Sequence, residues 1–574
     1  MRFRLSRHQI NSVARVGALG LMLTVAASIT GSGPSAAAKA GQQSQGLGHV
    51  HMEISCTAPV AANFDRGLVL LHNFWYPRAL ATFNQVLAAD PECAIAYWGA
   101  AMTYNHPFWD APTQADEQSA WALVQKGMKA REKSPREQMY LDAVAALYRD
   151  AGAGTKAARG RAYMDTMAAA YAKFPDDETK LFYALSILAT IEEGSPWSAQ
   201  QALAAKLIEQ VYADDPDNPG ALHYMIHAYD DPVHAAQGLK AAQAYAKVAP
   251  AVPHALHMPS HIFTRLGYWE ESAATNEKAW RVSQSDVAQA GESGAYRDFH
   301  SLNYLQYAYI QLGRYHDAKR ATDIFAAQYR TLPSKRTAPD TPDLEVRHLR
   351  GRTIYALPDR VVYGYFDTLA RYIMESRAWD LAPGLPLVAP SRDFVAMKLQ
   401  VEATAAAARH DAAAAQAAAD RIVVLSNEPG QRPLAQKVLT IQAKEAQAAA
   451  AQASGDAARA IAMMNQAVAI EDSIYALSQP PYPPIPAHEL YGTMLLEMNR
   501  PAPAGGQFAE TLTRTPGRPM AIYGLARCAQ AQGDNQAAAQ HYADFLRVWK
   551  NADPDRSEIG AAKRFLATAQ AHPH

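Results

Sequence analysis

Seven of the 19 histidines fall between residues 223 and 300: His223, His227, His234, His254, His257, His261 and His300. His223 and His227 are four residues apart, as are His257 and His261, the spacing that places two side chains on one face of a helix. The offsets from 223 to 257 and from 227 to 261 are equal, so the pairs recur at equivalent positions of consecutive units. Packed helices lie ~8–10 Å apart, which lets imidazoles from neighbouring helices converge. Neutral imidazole is a ligand for Zn, Cu, Ni or Fe. The pattern therefore predicts one transition-metal ion held by His223, His227, His257 and His261, with His254 or His300 in support. Tyr224, Tyr229, Asp230, Asp231, Glu192 and Glu193 are candidates for partners or extra ligands around those rings. Two features count against chemistry of this kind. The run His223-Tyr224-Met225-Ile226-His227 lacks the glutamate that acts as general base in zinc-protease helices. Pro259 stands between His257 and His261 and disturbs a regular helix there. The competing reading is a row of hydrogen-bonded structural histidines without a metal.

The elements that must position these rings are legible from a 34-residue period with small residues at fixed offsets. Gly67, Ala79, Phe83 and Pro91 follow it in residues 60–93, and Leu525, Gly533, Ala538 and Tyr542 in 519–552. Turns recur at Leu266-Gly267-Tyr268-Trp269, at Leu312-Gly313-Arg314-Tyr315 and at Gly455. Phe508 and Pro516 mark another second helix. This pattern resembles the tetratricopeptide-repeat family over most of residues 60–552. The resemblance implies an all-α, right-handed solenoid of antiparallel helix hairpins with a concave groove. By the family's register, His223, His227, His257 and His261 take groove-facing positions on first helices, as do His254 and His300. His72 and His106 share a further groove-side position. With Trp98, Tyr224 and Asn303 they are the expected contacts for a ligand in an aromatic, histidine-lined groove.

A narrower likeness rests on Phe64-Asp65-Arg66-Gly67, Leu70-Leu71-His72, Ala96-Tyr97-Trp98-Gly99, His223 to Tyr229, His254 to Arg265 and Pro486 to Gly492. It is to a group of secreted bacterial tetratricopeptide proteins. That group often shows an acidic residue where this chain has Asn303. The resemblance implies fold and export, and no particular reaction.

Organisation follows. Residues 1–40 read as a signal peptide, with Arg2, Arg4, Arg7 and Arg15, an apolar run from Val16 to Ile29, and small-residue cleavage sites near Ala38 or Ala40. Residues 41–330 form an N-terminal array, 331–398 a helical junction and 399–574 a C-terminal array. Within them, 402–453 reads as a helical hairpin and the prolines of 480–486 as an extended loop. Removing residues 1–40 leaves 49 basic against 55 acidic residues. That balance excludes a basic nucleic-acid binder. No later run is long and apolar enough for a transmembrane helix, so a periplasmic or secreted monomer is expected. Among 3 cysteines, Cys56 and Cys93 are the candidates for a disulfide, with Cys528 left free. Glu471, Asp472, His488 and Glu489 bracket the proline loop as a carboxylate–histidine group. Two functional readings stand: an exported scaffold that binds a peptide, protein partner or small ligand, and a metal-binding protein or metalloenzyme.

Overall fold

The computed structural model describes residues 46–108, 112–131, 133–149, 155–192, 194–332, 357–386 and 392–571. The expected signal peptide, Glu193 and much of the expected junction lie outside the described residues. Among the described residues there are 25 α-helices and no strand. The first half comprises α1 (Ala61–His72), α2 (Tyr76–Ala89), α3 (Ala94–Met102), α4 (Gln114–Lys129), α5 (Pro135–Tyr148), α6 (Lys156–Lys173), α7 (Asp177–Leu188) and α8 (Ala199–Asp214). The histidine-bearing stretch follows as α9 (Pro219–Ala228), α10 (Leu239–Val248), α11 (Pro253–His257), α12 (Pro259–Arg265), α13 (Trp269–Gln289), α14 (Phe299–Gln311) and α15 (Tyr315–Arg330). Beyond it come α16 (Leu357–Ser376), α17 (Arg392–Ala408), α18 (Ala412–Asn427), α19 (Pro433–Ala453), α20 (Ala457–Asp472), α21 (Ala487–Glu497), α22 (Pro501–Arg514), α23 (Pro519–Gln532), α24 (Asn535–Val548) and α25 (Ser557–Ala571). Consecutive helices pack as hairpins, and the first helices of successive hairpins stack on each other. The chain is thus an all-α solenoid. The alanine-rich stretch 402–453 is helical, and the proline loop separates α20 from α21.

Local sequence explains the element ends. Thr113 with Asp116, and Ser134 with Glu137, form reciprocal caps at α4 and α5, satisfying backbone donors that a helix start leaves open. Asn218 caps α9 through Ala221 N, and Pro219 takes the first helical position, where no backbone donor is needed.

The stacking is set by aromatic wedges between bare backbones. Phe83 of α2 fills the space between Gly67 of α1 and Gly99 of α3; a Cβ on either glycine would lie 2.7 or 2.5 Å from its ring. Phe508 of α22 sits the same way between Gly492 of α21 and Gly524 of α23, where a Cβ would approach to 2.9 or 2.5 Å. The glycine–phenylalanine–glycine spacing is identical in the two places, so one packing device recurs at both ends of the chain.

Two closures distinguish this solenoid from an open one. At the N-terminal end the coil is tight enough for α1 to pack directly against α9. At the C-terminal end α23 and α24 fold back on α14 and α15 in one shared core of Ile310, Tyr315, Ile522, Tyr542, Phe545 and Trp549. Trp269 Nε1 donates to the Gly517 carbonyl at 2.8 Å and Trp549 Nε1 to that of Gln311 at 3.1 Å. Gly267, at φ +72°, lies so close to Pro516 that a Cβ would be 2.1 Å from its carbonyl oxygen. The fully buried Arg518 joins α23 to Glu489, to Glu375 of α16 at 2.7 Å and to Tyr307 at 3.1 Å. Cys56 and Cys93 form a disulfide that ties the segment before α1 to the start of α3, while Cys528 is a buried thiol. Among the described residues no helix is long and apolar enough to cross a membrane.

Two substitutions test the wedge. Gly99→Ala should destabilise by about 1–3 kcal/mol through overpacking against Phe83. Gly160→Ala meets nothing within 4 Å in α6 and should stabilise by roughly 0.5–1 kcal/mol. Thermal unfolding followed by circular dichroism should therefore move in opposite directions for the two variants.

Candidate metal centre

The histidines sort into two groups of three rather than one group of four or five. His223 and His227 of α9 meet His254 of α11, and His257 of α11 and His261 of α12 meet His300 of α14; the ligand nitrogens of each trio lie within 4.8 Å of one another. In the first trio His227 Nε2 and His254 Nε2 stand 3.1 and 3.2 Å from His223 Nε2. In the second, His257 Nε2 and His261 Nε2 are 3.1 Å apart. A metal–nitrogen distance of ~2.0–2.1 Å with tetrahedral angles puts ligand nitrogens about 3.3 Å apart, so these separations fit a bound ion. The expected ligands His223 and His227 thus fall in one trio and His257 and His261 in the other. His254 and His300 complete them.

Pro259 does not spoil the second pair. Met258 keeps helical angles (φ −52°, ψ −38°) between α11 and α12, and Pro259 occupies the first position of α12, where its fixed φ suits the helix. His257 and His261 therefore still share a face.

The other ring nitrogen of each anchor is committed to an acceptor. His223 Nδ1–H donates to the His72 carbonyl at 2.6 Å. His257 Nδ1–H donates to Asn276 Oδ1 at 2.7 Å, and Asn276 is oriented by its own amide bond to the Ser272 carbonyl. His261 Nδ1–H donates to Asp230 Oδ2 at 2.8 Å, and Asp230 also takes Arg265 Nε at 2.8 Å. Hydrogen bonding of this kind fixes the tautomer and leaves Nε2 as a bare lone pair. With the rings neutral, His223 Nε2 faces two nitrogens with a single in-plane lone pair, and His257 and His261 face each other lone pair to lone pair. Both arrangements are relieved by a cation between the rings.

Electrostatics keep most of these rings neutral. Burial pushes His223 down to about 3. Burial, then the neighbouring imidazoles, lowers His227 and His254 well below the usual histidine value. His257 and His300 are lowered in the same way, with Arg360 adding to the effect. Burial alone would raise Asp230, but Arg265 and His261 outweigh it and hold that carboxyl below its usual range. Neutral imidazole is the metal-binding form.

Aromatic rings wall the site. Phe74, in the left-handed region at φ +52° between α1 and α2, lies 4.3 Å from His223, 5.9 Å from His227 and 5.8 Å from His254, centroid to centroid. Phe108 stacks on His227 at 4.1 Å. Tyr304 touches His257, His261 and His300 at 4.8, 4.8 and 5.2 Å. Between trios, His227 lies 6.2 Å from His261, and His254 5.9 Å from His257.

The remaining expected contacts go elsewhere. His72 and Trp98 do not line an open groove: both are fully buried, because the tight coil covers them. His72 bonds Glu178 at 2.7 Å and the Tyr224 hydroxyl at 2.9 Å, and Trp98 packs edge-on to Tyr140 and Phe182. His106 is buried beside Tyr76. Asn303 turns to α16, where it donates to Asp367 and accepts from Arg371, away from both trios. Of the candidate outer partners, Asp230 joins the site. Asp231 takes His234 instead, Tyr229 bonds Glu209, and Glu192 is exposed. Asn276 and the His72 carbonyl belong to the site without any sign in the repeat register, whereas Phe74 and Phe108 come from aromatic runs that the sequence marks as a ligand floor. His488 pairs with Asp472 at 2.9 Å, while Glu489 is bound to Arg518. A third trio, His316 with Asp553 and Asp555, is a surface ion-pair group.

No protein-family model matches this chain, and no curated protein matches it. Among solved structures, the human IFIT1 dimer with PPP-AAAA is similar over 79% of this chain and 90% of its own, with 10% identity and a TM-score of 0.37. Naa15/Naa10 bound to HypK-THB is similar over 89% and 92%, with 11% identity and a TM-score of 0.22. The P58(IPK) TPR domain is similar over 90% and 100%, with 11% identity and a TM-score of 0.21. At scores this low the likeness transfers nothing to the histidine site.

The tautomers are directly testable. In metal-free protein with selectively 15N-labelled histidine, His223, His257 and His261 should carry their proton on Nδ1. An Nε2-protonated ring at any of the three would contradict the assignment.

Proposed function

We propose that this protein is a metalloprotein that holds two transition-metal ions side by side, one in each histidine trio. The observation that carries this reading is the pair His257 Nε2 and His261 Nε2, 3.1 Å apart with both Nδ1 protons committed to other acceptors. With both rings neutral the two lone pairs face each other, and a metal ion between them removes that repulsion while using both as ligands. The donor set is all imidazole, which suits Cu, Zn, Ni or Fe. Asp230, Asn276 and the His72 carbonyl orient the ligands rather than bind the ion. The disulfide between Cys56 and Cys93 and the signal-like N-terminus support export to an oxidising compartment.

Elemental analysis of untagged protein after loading should give two ions per chain. His227→Ala and His261→Ala should each leave one, and the double variant none. Asp230→Asn should weaken one site by about 10–100-fold. Binding of no ion, or of one ion lost equally in both single variants, would sink the two-site reading.

A second reading, a ligand-binding scaffold, is favoured by one cavity. A cavity of about 460 Å³ lies among α16, α17, α19 and α21, with walls that include Met374, Trp379, Ala449 and Met494. Glu445 in its lining is buried, bonds Gln400 through one oxygen and has no partner for the other. Burial, then Glu471, raises its carboxyl well above the usual range. An acid raised on folding costs stability as pH climbs above its unfolded value. Glu445→Gln should therefore raise the melting temperature at neutral pH, with the gain shrinking towards about pH 4. An unchanged melting temperature at neutral pH would contradict the assignment.

A further inference from the structure

Six imidazoles converge here without a single carboxylate or thiolate ligand. Asp230 is turned to His261 Nδ1 and Arg265, and Arg360 lies close enough to the second trio to act on His257 and His300. Two divalent ions would place four positive charges in this partly buried setting with no anion among their ligands. Burying unneutralised charge is costly. Two monovalent ions would halve that charge. Of the metals that imidazole suits, copper is the one with a stable monovalent state, and Cu(I) is satisfied by three ligands.

We propose that the two trios hold a pair of copper ions and that the reduced pair binds one dioxygen between them. This rests on the two-ion reading above. Rings of opposite trios approach to 5.9 and 6.2 Å, centroid to centroid, so the two trios adjoin, and the proposal takes their ions as a pair close enough for one dioxygen to bridge, as in two-metal sites. Each Cu(I) gives one electron. The dioxygen accepts both and becomes bound peroxide, its O–O double bond reduced to a single bond. No proton is consumed and nothing leaves. Two Cu(II) with one peroxide dianion carry the same net charge as two Cu(I), so the buried site undergoes the redox change without gaining charge. Phe74, Phe108 and Tyr304 line the pair with aromatic rings, surroundings suited to a small apolar gas.

The test uses the full chain, loaded without oxygen with two equivalents of Cu(I) as its acetonitrile complex, then titrated with dioxygen. One dioxygen should be taken up per two coppers. A near-ultraviolet charge-transfer band should appear, and the oxidised protein should be silent in electron paramagnetic resonance because the two Cu(II) spins couple through the peroxide. His254→Ala and His300→Ala, from opposite trios, should each retain one copper and lose both uptake and band. Folding of each variant is checked by circular dichroism. Binding of two Cu(I) with no uptake, or with uptake that yields two isolated Cu(II) signals, overturns the dioxygen proposal and leaves the two-ion reading standing. Failure to bind Cu(I) or Zn(II) at all overturns both.

Discussion

The hydrogen bond from the His223 ring to the carbonyl of His72 spans 151 residues of sequence. It exists because the N-terminal coil turns tightly enough to lay α1 on α9. That contact needs a bare backbone at Gly220, where a Cβ would lie 2.6 Å from the His72 ring. The same contact brings Phe74, the residue after the α1 cap, over the first histidine trio. Close the coil less tightly, and the trio loses both its anchor and its wall. A solenoid usually offers its ligand an open concave surface. Here the chain packs α1 across that surface, and the histidines that remain partly exposed are flanked by aromatic rings.

The second trio is held by different means. Its acceptors are Asn276 on α13 and Asp230 in the loop after α9, and Arg265 pins Asp230 in turn. Arg265 also donates to the Leu477 carbonyl at 2.8 Å, just before the proline loop. The orientation of His261 is thereby connected through three polar contacts to the C-terminal array. The two trios are alike in donor set but differ in support: one leans on backbone, the other on a charged side-chain relay.

Much of this was legible in the residues and some was not. The 34-residue period located the helices and put His223/His227 and His257/His261 in register, because helix period and repeat length are properties of the local chain. How the rings divide depends on the rotation from one hairpin to the next, which no spacing reports. His254 and His300 are expected only in support of the four paired histidines, and each is the third member of a trio. The acceptor for His223 is a main-chain carbonyl, available from any residue type, so no side-chain signal pointed to His72 in that role. Asn276 lies on a second helix, outside the groove register. His72 and Trp98 failed as groove contacts because burial by a distant helix is a tertiary event. The glycine–phenylalanine–glycine wedges were half visible, as repeat positions without their packing role.

An open helical array tolerates growth: a unit can be added or lost because each touches only its neighbours. This chain has lost that freedom. The fold-back of α23 and α24 onto α14 and α15, sealed by Arg518 and by the contact of Gly267 with Pro516, requires a set number of units between the two faces. Inserting or deleting one hairpin between α16 and α22 would carry Arg518 away from Glu375 and open the seam. The repeat number is therefore fixed by ring closure, as in a barrel, and change within the family of such chains is expected in loops and surface faces rather than in length.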